Sequence, residues 1–254
     1  MNTALYLKRI GMSEKTEFSH SVGFLNQLQL AHVTHVPYEN LDIIKGVPLN
    51  LDTEHIFDKI VTRNRGGYCF EVNGLFGALL TELGFKVTHL AARFLRNEST
   101  IPLRRHRVLL VECADGQYIC DVGIGSAAPR YPLKLQEGIE QRQFGETYKL
   151  QKEDFLGWVI YEKHGEEWRR FYSFTLEPQI SVDFVTPSFY CEKHPDSIFN
   201  KDIMVAIKTE TGRKTLNGRE YKVFVGEKIV ETKENLTDSE LAEILKQEFC
   251  IEIK

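Results

Sequence analysis

The sequence predicts an α+β protein with a helical N-terminal part, a β-rich middle and a mixed C-terminal part. Three observations lead to this prediction. Apolar residues recur at helical spacing up to about position 85, short strand-like runs follow, and the end of the chain combines strands with one capped helix. The predicted segments are 1–85, a helical bundle; 86–195, an antiparallel barrel or curled sheet; and 196–254, an α/β segment.

The first segment contains three predicted helices. Ser19 to His35 carries apolar residues at helical spacing, and Asp52 is placed to cap a short second helix. The clearest helix follows Gly66-Gly67 and ends at Gly84. Its apolar residues lie on one face, at positions 72, 75, 76, 79, 80 and 83. Cys69 is therefore expected in the first turn of a buried amphipathic helix.

The middle and final segments show strand patterns. Two strands, 107–113 and 117–121, flank a turn at Asp115-Gly116, and further strand-like runs are 157–162 and 168–175. The last segment has strand patterns at 204–209 and 221–225. It closes with a helix whose capping box is Thr237-Asp-Ser-Glu240. Several short strands in sequence are typical of an antiparallel barrel.

Composition narrows the function classes. The 254 residues are 42% hydrophobic and 27% charged with a net charge of -4, which excludes disordered and collagen-like classes and argues against broad binding to nucleic acid or anionic membranes. No apolar run approaches the ~18 residues of a membrane span, and the N-terminus lacks a secretory signal pattern. The five scattered cysteines include no Cys-x-x-Cys pair, so neither a disulfide framework nor a metal site is expected, and the predicted location is cytoplasmic.

Cys69 is the candidate nucleophile. The two glycines before the helix let the backbone turn tightly and leave the first-turn amides open. A cysteine in that turn lies at the positive end of the helix dipole, which favours the nucleophilic thiolate. Its position alone fits an inert core cysteine equally well. The flanking Gly66-Gly67 favours the functional interpretation.

His106 and Asp121 are the candidate base and its orienting group, since a nucleophilic cysteine needs both. His106 directly precedes an apolar strand, and Asp121 enters a glycine-flanked bend at the end of the next strand. A single aspartate there is usually an ordinary turn carboxylate, so the prediction rests on the three residues together. The other histidines are assigned to surface or loop positions: His20, His32, His35, His55, His89, His164 and His194.

Strand alternation supports the pairing of His106 with Asp121. A two-residue turn at Asp115-Gly116 places Asp121 opposite Leu110, which shares a strand face with His106. The two side chains then point the same way but remain four residues out of register, roughly 13 Å along a strand. Contact between them therefore requires a bulge, a strong twist or a longer turn.

Four motifs occur in order along the chain: Pro37-Tyr-Glu-Asn-Leu-Asp42, Arg65-Gly-Gly-Tyr-Cys-Phe-Glu-Val-Asn73, His106-Arg-Val-Leu-Leu-Val111 and Asp121-Val-Gly-Ile-Gly125. Their order and spacing resemble the bacterial arylamine N-acetyltransferases and are far more specific than any one motif. The resemblance continues through 92–93, 132–133, 194–199 and 249–253, so that it covers essentially the whole chain.

The resemblance implies a fold and a reaction. The fold is a helical bundle, a central antiparallel β-barrel and an α/β lid, with a papain-like arrangement of Cys69, His106 and Asp121. The reaction is ping-pong transfer of acetyl from acetyl-CoA to an arylamine or hydrazine through acetyl-Cys69, as in xenobiotic metabolism, without a metal. The amide of Phe70, at the start of the helix, is a candidate oxyanion donor.

The same resemblance suggests supporting residues. Glu39 and Arg65 match a family Glu and Arg near the triad, and a buried pair would hold the loop before Cys69. Ile124 and Tyr38 stand where phenylalanine is frequent, and the loop of Ile124 usually lines the acceptor pocket. The first exchange replaces an aromatic stacking surface with a branched aliphatic side chain, and the second adds a hydroxyl.

Coenzyme A is polyanionic, so a local basic cluster is expected near the cysteine. Arg104, Arg105 and Arg107 flank His106 and are candidates for phosphate contacts, although each taken separately also fits a solvated charge at the barrel rim. The alternatives are a Cys-His-Asp hydrolase, an amide synthase of the same family, and a binding module in which the three residues are accidental. The acceptor amine and the oligomeric state stay open.

Overall fold

The computed structural model describes residues 1–13, 18–96 and 98–252. Its α-helices are α1 Thr3–Arg9, α2 Val22–His35, α3 Leu41–Ile44, α4 Thr53–Phe57, α5 Cys69–Glu82, α6 Val185–Lys193 and α7 Asp238–Phe249. The strands β1 to β8 are Tyr38–Glu39, Lys86–Phe94, His106–Cys113, Gly116–Cys120, Leu133–Lys134, Gln141–Gln143, Glu146–Glu153 and Gly157–His164. The strands β9 to β13 are Glu167–Phe174, Met204–Lys208, Gly212–Asn217, Glu220–Val225 and Lys228–Lys233.

Eight antiparallel strands form a nearly closed barrel in the order β5-β4-β3-β2-β9-β8-β7-β6. Side chains join its two edge strands: the Gln141 amide group donates to and accepts from the main chain of Lys134. Gln143 bonds the main chain of Tyr131 in the same way. These bonds satisfy main-chain groups at the β5 edge, which would otherwise be open to pairing with another chain. The predicted α+β class with an antiparallel barrel is confirmed.

A second sheet of five strands has the order β1-β10-β11-β12-β13. Its first strand, β1, comes from the helical N-terminal part and pairs Tyr38 with Ala206. A parallel bridge links Tyr38 to Gly67, just before α5. The sheet therefore ties the C-terminal part to the loop that precedes Cys69. The division at positions 85 and 195 stays a prediction, and this strand pairing crosses it.

Helix α5 lies at the centre of the main hydrophobic core. Leu75, Phe76, Leu79 and Leu80 are fully buried and pack with residues of α1 and α2 on one side. On the other side they meet the outer face of the barrel, including Leu109 and Val111 of β3. This packing fixes the position of α5, and with it Cys69, relative to the strand that carries His106.

Several predicted elements are confirmed with shifts of a few residues. Helix α5 begins at Cys69, and α7 has its capping box, with the Thr237 hydroxyl and the Glu240 carboxylate bonding each other's amides at 3.3 Å and 2.8 Å. Asp52 stands at the N-cap of α4, but its side chain makes no cap bond; its amide donates to Asn50. Position 253 of the closing motif lies outside the described residues.

Helix α6 falls in the segment that the sequence predicts to be β-rich. Its apolar residues Val185 and Phe189 are exposed, so the helix shows no one-sided periodicity by which a pattern could detect it. Pro187 lies in the first turn, where a missing amide proton costs little. The sequence patterns indicate no element between 175 and 195, and α6 was not predicted there because this helix is not amphipathic.

We expect Thr237→Ala to lower the free energy of unfolding by about 1 kcal/mol, because the cap hydroxyl of α7 accepts the amide proton of residue 240. Urea denaturation followed by circular dichroism measures the change. Thr211→Ala is the matched control, an exposed threonine in a turn. Equal effects of the two substitutions would show that the cap does not stabilise the helix.

Candidate active site

Cys69 is the first residue of α5 and is 3% exposed. Tyr68 precedes it in extended conformation, and the Tyr68 amide donates to the Glu71 carboxylate at 3.1 Å. The main-chain amides of Phe70 and Arg107 act on the Cys69 thiol to lower its pKa. The nucleophile candidate thus sits in a capped helix start with two amides near its sulfur.

Close approach explains the glycines around Cys69. A Cβ on Gly66 would lie 2.0 Å from the carbonyl oxygen of Pro37, so this glycine serves contact with a neighbouring segment rather than the tight turn that the sequence suggests. A Cβ on Gly123 would lie 2.8 Å from Cys69 Cα and 2.6 Å from Asn73 Nδ2. The loop after Asp121 can therefore pack against the start of α5 only through glycine.

His106 and Asp121 are in direct contact. His106 Nε2 lies 2.6 Å from Asp121 Oδ2, with both side chains buried. The other carboxylate oxygen, Oδ1, accepts from Asn73 Nδ2 at 2.9 Å and from the Gly123 amide at 2.8 Å. Asn73 and Gly123 hold the Asp121 carboxylate in place. The carboxylate, and not solvent, therefore fixes the orientation of the imidazole.

The predicted register of the hairpin was wrong by two residues. Cys113 pairs with Gly116 and Leu109 with Cys120, so the turn is at Ala114-Asp115. Asp121 is then two residues, not four, out of register with His106, and it leaves the ladder because β4 ends at Cys120. The shift is even, so the predicted common face of His106 and Asp121 is preserved.

The end of β4 also frees the next peptide group on β3. The carbonyl of Arg107 accepts from Asn73 Nδ2 at 2.6 Å, and the amide of Arg107 faces Cys69. In a strand the amide and carbonyl of one residue point to the same side. Where β4 stops pairing with β3, α5 therefore takes its place and brings Cys69 to the edge of the barrel.

Burial raises the pKa of the Cys69 thiol well above its usual value, and the Cys191 thiol and the Asp121 carboxylate raise it further. The amides of Phe70 and Arg107 act in the opposite direction. The helix start alone therefore does not produce a thiolate, in contrast to the expectation from position. A thiolate at this site depends on a proton acceptor and on nearby positive charge.

Glu39 and Arg65 form part of a buried ion network beside the nucleophile loop. Arg65 Nη2 lies 2.7 Å from Glu39 Oε1 and 3.0 Å from Asp42 Oδ1. Lys59 Nζ bridges Asp42 Oδ2 at 2.7 Å and Glu71 Oε1 at 2.8 Å. Burial alone would lower the pKa of Lys59, but the surrounding carboxylates raise it above its usual value. The network holds the residues on both sides of Gly66-Gly67 in place.

Cys69 and His106 line one cavity of about 340 Å³ between the barrel and the five-stranded sheet. Tyr38 and Ile124, the predicted acceptor residues, also line it, together with the aromatic rings of Phe94 and Phe199. The thiol and the imidazole are thus presented to the same space, and the carboxylate lies behind the imidazole. Such an arrangement can carry out nucleophilic attack on a bound acyl group.

The three candidate arginines have different surroundings. Arg105 lines the cavity and pairs with Glu98 at 3.3 Å, whereas Arg104 pairs with Glu177 and does not line it. Arg107 is 3% exposed and contacts His89, so its guanidinium is not available to a phosphate group. Strand alternation explains why Arg107 does not line the cavity: it follows His106 and points to the opposite face of β3.

Sequence reasoning missed the roles of Asn73 and Lys59 and misplaced two histidines. Asn73 lies one helical turn after Cys69 and bonds Arg107, Asp121 and Val122, a role that its i+4 spacing could have indicated. Lys59 faces inward from the π-helical segment Asp58–Thr62 that follows α4, and no pattern predicts this distortion. His32 and His89, assigned to the surface or loops, are buried and half-buried respectively.

Comparisons with known proteins agree with this fold. The chain matches the family model described as N-acetyltransferase over residues 21–254. The arylamine N-acetyltransferase of Mycolicibacterium smegmatis is 37% identical over 229 residues, which are 88% of this chain and 82% of that protein. The arylamine N-acetyltransferase structure from Salmonella typhimurium has a TM-score of 0.93 at 32% identity, covering 97% of this chain and 90% of its own. That of Mycobacterium marinum in complex with CoA has a TM-score of 0.90 at 32% identity, covering 98% and 93%.

Within 1–13, 18–96 and 98–252, no group of three or more His, Cys, Asp or Glu side chains could hold a metal ion. In the same residues, no helix has both the length and the apolar character needed to cross a membrane.

We expect Lys59→Met to lower the free energy of unfolding by about 3 kcal/mol or more, because it leaves the buried Glu71 carboxylate without its cation and Asp42 with Arg65 alone. Urea denaturation measures the loss. Lys86→Met removes a lysine whose side chain is 74% exposed, and it serves as the control. The double variant Lys59→Met, Glu71→Gln should recover part of the loss. If both lysine variants unfold alike, the network does not support the loop.

Proposed function

This chain belongs to the arylamine N-acetyltransferase family, and on that premise we propose that it transfers acetyl from acetyl-CoA to the nitrogen of an arylamine or arylhydrazine through acetyl-Cys69. The roles of Cys69, His106 and Asp121 are assigned from one observation. His106 is held by Asp121 at 2.6 Å on the wall of the cavity that Cys69 also lines. Cys69 is the nucleophile, His106 the proton carrier and Asp121 the group that fixes the imidazole.

The reaction begins with a proton transfer inside the protein. Asp121 occupies His106 Nε2, which leaves Nδ1 to accept the proton of the Cys69 thiol. The product is a thiolate beside an imidazolium, and the net charge of the pair does not change. Burial penalises this pair less than it would penalise a thiolate alone, because the two charges compensate each other.

In the first half-reaction the Cys69 sulfur attacks the thioester carbonyl carbon of acetyl-CoA. A carbon–sulfur bond to Cys69 forms, the bond to the CoA sulfur breaks, and His106 returns its proton to the departing CoA thiol. The amides of Phe70 and Arg107 lie near the reacting sulfur and are the candidate donors to the oxyanion. Acetyl-Cys69 remains in the cavity.

In the second half-reaction the amine nitrogen attacks the acetyl carbon. A carbon–nitrogen bond forms, the bond to Cys69 breaks, and the proton lost by the amine passes to His106, which restores the thiolate–imidazolium pair. Phe94, Phe199 and Tyr38 offer rings against which an aromatic acceptor can stack. Ile124 makes the same wall aliphatic at one point, so it bears on acceptor selectivity.

The phosphates of acetyl-CoA need positive charge at the cavity mouth. Arg105 lines the cavity and carries its guanidinium beside Glu98, and Arg96 also lines it. We assign Arg105 to phosphate contact and withdraw Arg104 and Arg107, since neither lines the cavity. All five cysteines are unpaired in the structure, in keeping with a proposed cytoplasmic location.

The proposal predicts a single acetyl adduct when the protein is mixed with acetyl-CoA, because the thioester is cleaved before the amine binds. Intact-mass spectrometry detects the adduct, and added aniline or hydrazine should discharge it. The adduct should be absent in Cys69→Ala and present in Cys191→Ala, whose thiol is the buried neighbour. Adduct formation unchanged in Cys69→Ala would overturn the proposed nucleophile, and rapid discharge in water alone would favour the hydrolase.

We predict that Asp121→Asn lowers turnover by about 10³-fold or more while the protein remains folded. Asn73 and Gly123 both donate to Oδ1, so the substituted side chain keeps its oxygen there and turns its amide group toward His106. His106 Nε2 then becomes an acceptor, and the ring proton moves to Nδ1. Because Nδ1 is already protonated, it cannot accept the proton of the Cys69 thiol. Steady-state acetylation and circular dichroism test this together. Loss of folded protein instead would mean that Asp121 is mainly structural.

A further inference from the structure

Arg107 is a buried cation without a carboxylate partner. Its side chain forms no ion pair with any of the described residues, although the residue is 3% exposed. The guanidinium donates to the ring nitrogen Nδ1 of His89 at 3.0 and 3.1 Å and to the Phe70 carbonyl at 3.4 Å. Its remaining neighbour is the ring of Phe184, with Cζ 4.4 Å from the ring centre. All of these partners are neutral.

Burial of an unpaired charge lowers the stability of the folded protein, so a purely structural role does not account for Arg107. A buried charge is ordinarily paired with an opposite charge, and an apolar side chain of similar volume would often serve stability better. His89 does not supply the missing charge, because burial and Arg107 lower the pKa of its imidazole to about 3. The contacts of Arg107 hold it in place but do not explain why the site contains a cation.

Its location does explain this. Arg107 Nη1 contacts the first turn of α5 through Phe70 and lies 2.7 Å from where a Cβ on Gly74 would stand. The main chain of Arg107 also contacts Cys69 and Asn73. Burial lowers the pKa of Arg107 to about 10, although a charge on Cys69 acts in the opposite direction. The guanidinium therefore lies against the first turn of α5, the turn that begins with Cys69, in a part of the protein interior with little water.

We propose that Arg107 is a positioning residue for the proposed acetyl transfer, one that stabilises the negative charge of the Cys69 thiolate from beneath the start of α5. This role rests on the assignment of Cys69 as the nucleophile. Two cations then compensate the Cys69 thiolate. His106 compensates it on the cavity side and carries the moving proton. Arg107 compensates it on the opposite face of β3 and keeps its charge throughout the cycle, since it has no carboxylate to neutralise it.

Other groups around Cys69 mostly oppose the thiolate. The titratable and charged side chains around it are Asp121 from the loop after β4, Cys191 from α6, Tyr38 from β1, Tyr68 just before α5, and His106 and Arg107 from β3. At the cavity wall Arg105 is already paired with Glu98. Arg107 is thus the permanent cation in this set whose charge is not already matched by a carboxylate.

The test is the pH dependence of Cys69 alkylation by iodoacetamide, followed at Cys69 itself by peptide mass mapping. Arg107→Met removes the charge at similar length, and Arg107→Lys keeps it. We expect the midpoint of the acid limb to rise by about one pH unit in Arg107→Met, which is about a tenfold lower rate below the midpoint. Arg107→Lys should stay near the wild type. Because the amide of residue 107 is present in every variant, the comparison isolates the side chain.

Thermal unfolding separates this role from a structural one. We expect Arg107→Met to melt at or above the wild-type temperature, because an unpaired buried cation is replaced by an apolar chain. A lower melting temperature with an unmoved acid limb would overturn the proposal. Arg107→Gln, which keeps donors for His89 and Phe70, gives the same comparison if the methionine variant does not fold. Failure of the wild type to form an acetyl adduct would instead overturn the proposed function, and the alkylation profile would still test Arg107.

Discussion

The contact between His106 and Asp121 is the constraint on which the site depends. The carboxylate fixes the imidazole at 2.6 Å and is itself fixed by Asn73 and Gly123. Asn73 lies on α5, one turn after Cys69, so one helix carries the nucleophile and also anchors the group that orients its base. Movement of α5 against the barrel would disturb all three side chains at once, which explains why its buried face forms the centre of the main core.

Burial of the thiol has two opposing consequences. It excludes water from acetyl-Cys69, which an acyl carrier needs if it is to wait for an amine. It also raises the pKa of the thiol and so disfavours the reactive form. The protein answers the second effect with groups that do not admit water: an imidazole that takes the proton, two amides at the sulfur, and the proposed field of Arg107. The ion network of Lys59 and Arg65 keeps the preceding loop in the geometry that this requires.

The sequence allowed much of this arrangement to be predicted, because helical spacing and strand alternation follow from local geometry. Helix α5, the capped α7 and the common face of His106 and Asp121 all depend on such periods. The hairpin register depends on which two residues occupy the turn, and the error there was two residues. Arg107 was misassigned because its charge was weighed without its strand parity. Helix α6 and the inward turn of Lys59 depend on tertiary packing and left no period in the sequence.

Ultraviolet absorbance of the thiolate measures the charge state of Cys69 directly. The difference spectrum between the protein and its Cys69→Ser variant, titrated across pH, reports the charge on this one sulfur because the other cysteines cancel. We expect a thiolate already present near neutral pH that disappears in His106→Asn, since the proton then has no acceptor. A Cys69 thiolate that forms only above about pH 9, as in an ordinary thiol, and that does not respond to His106→Asn would contradict the account.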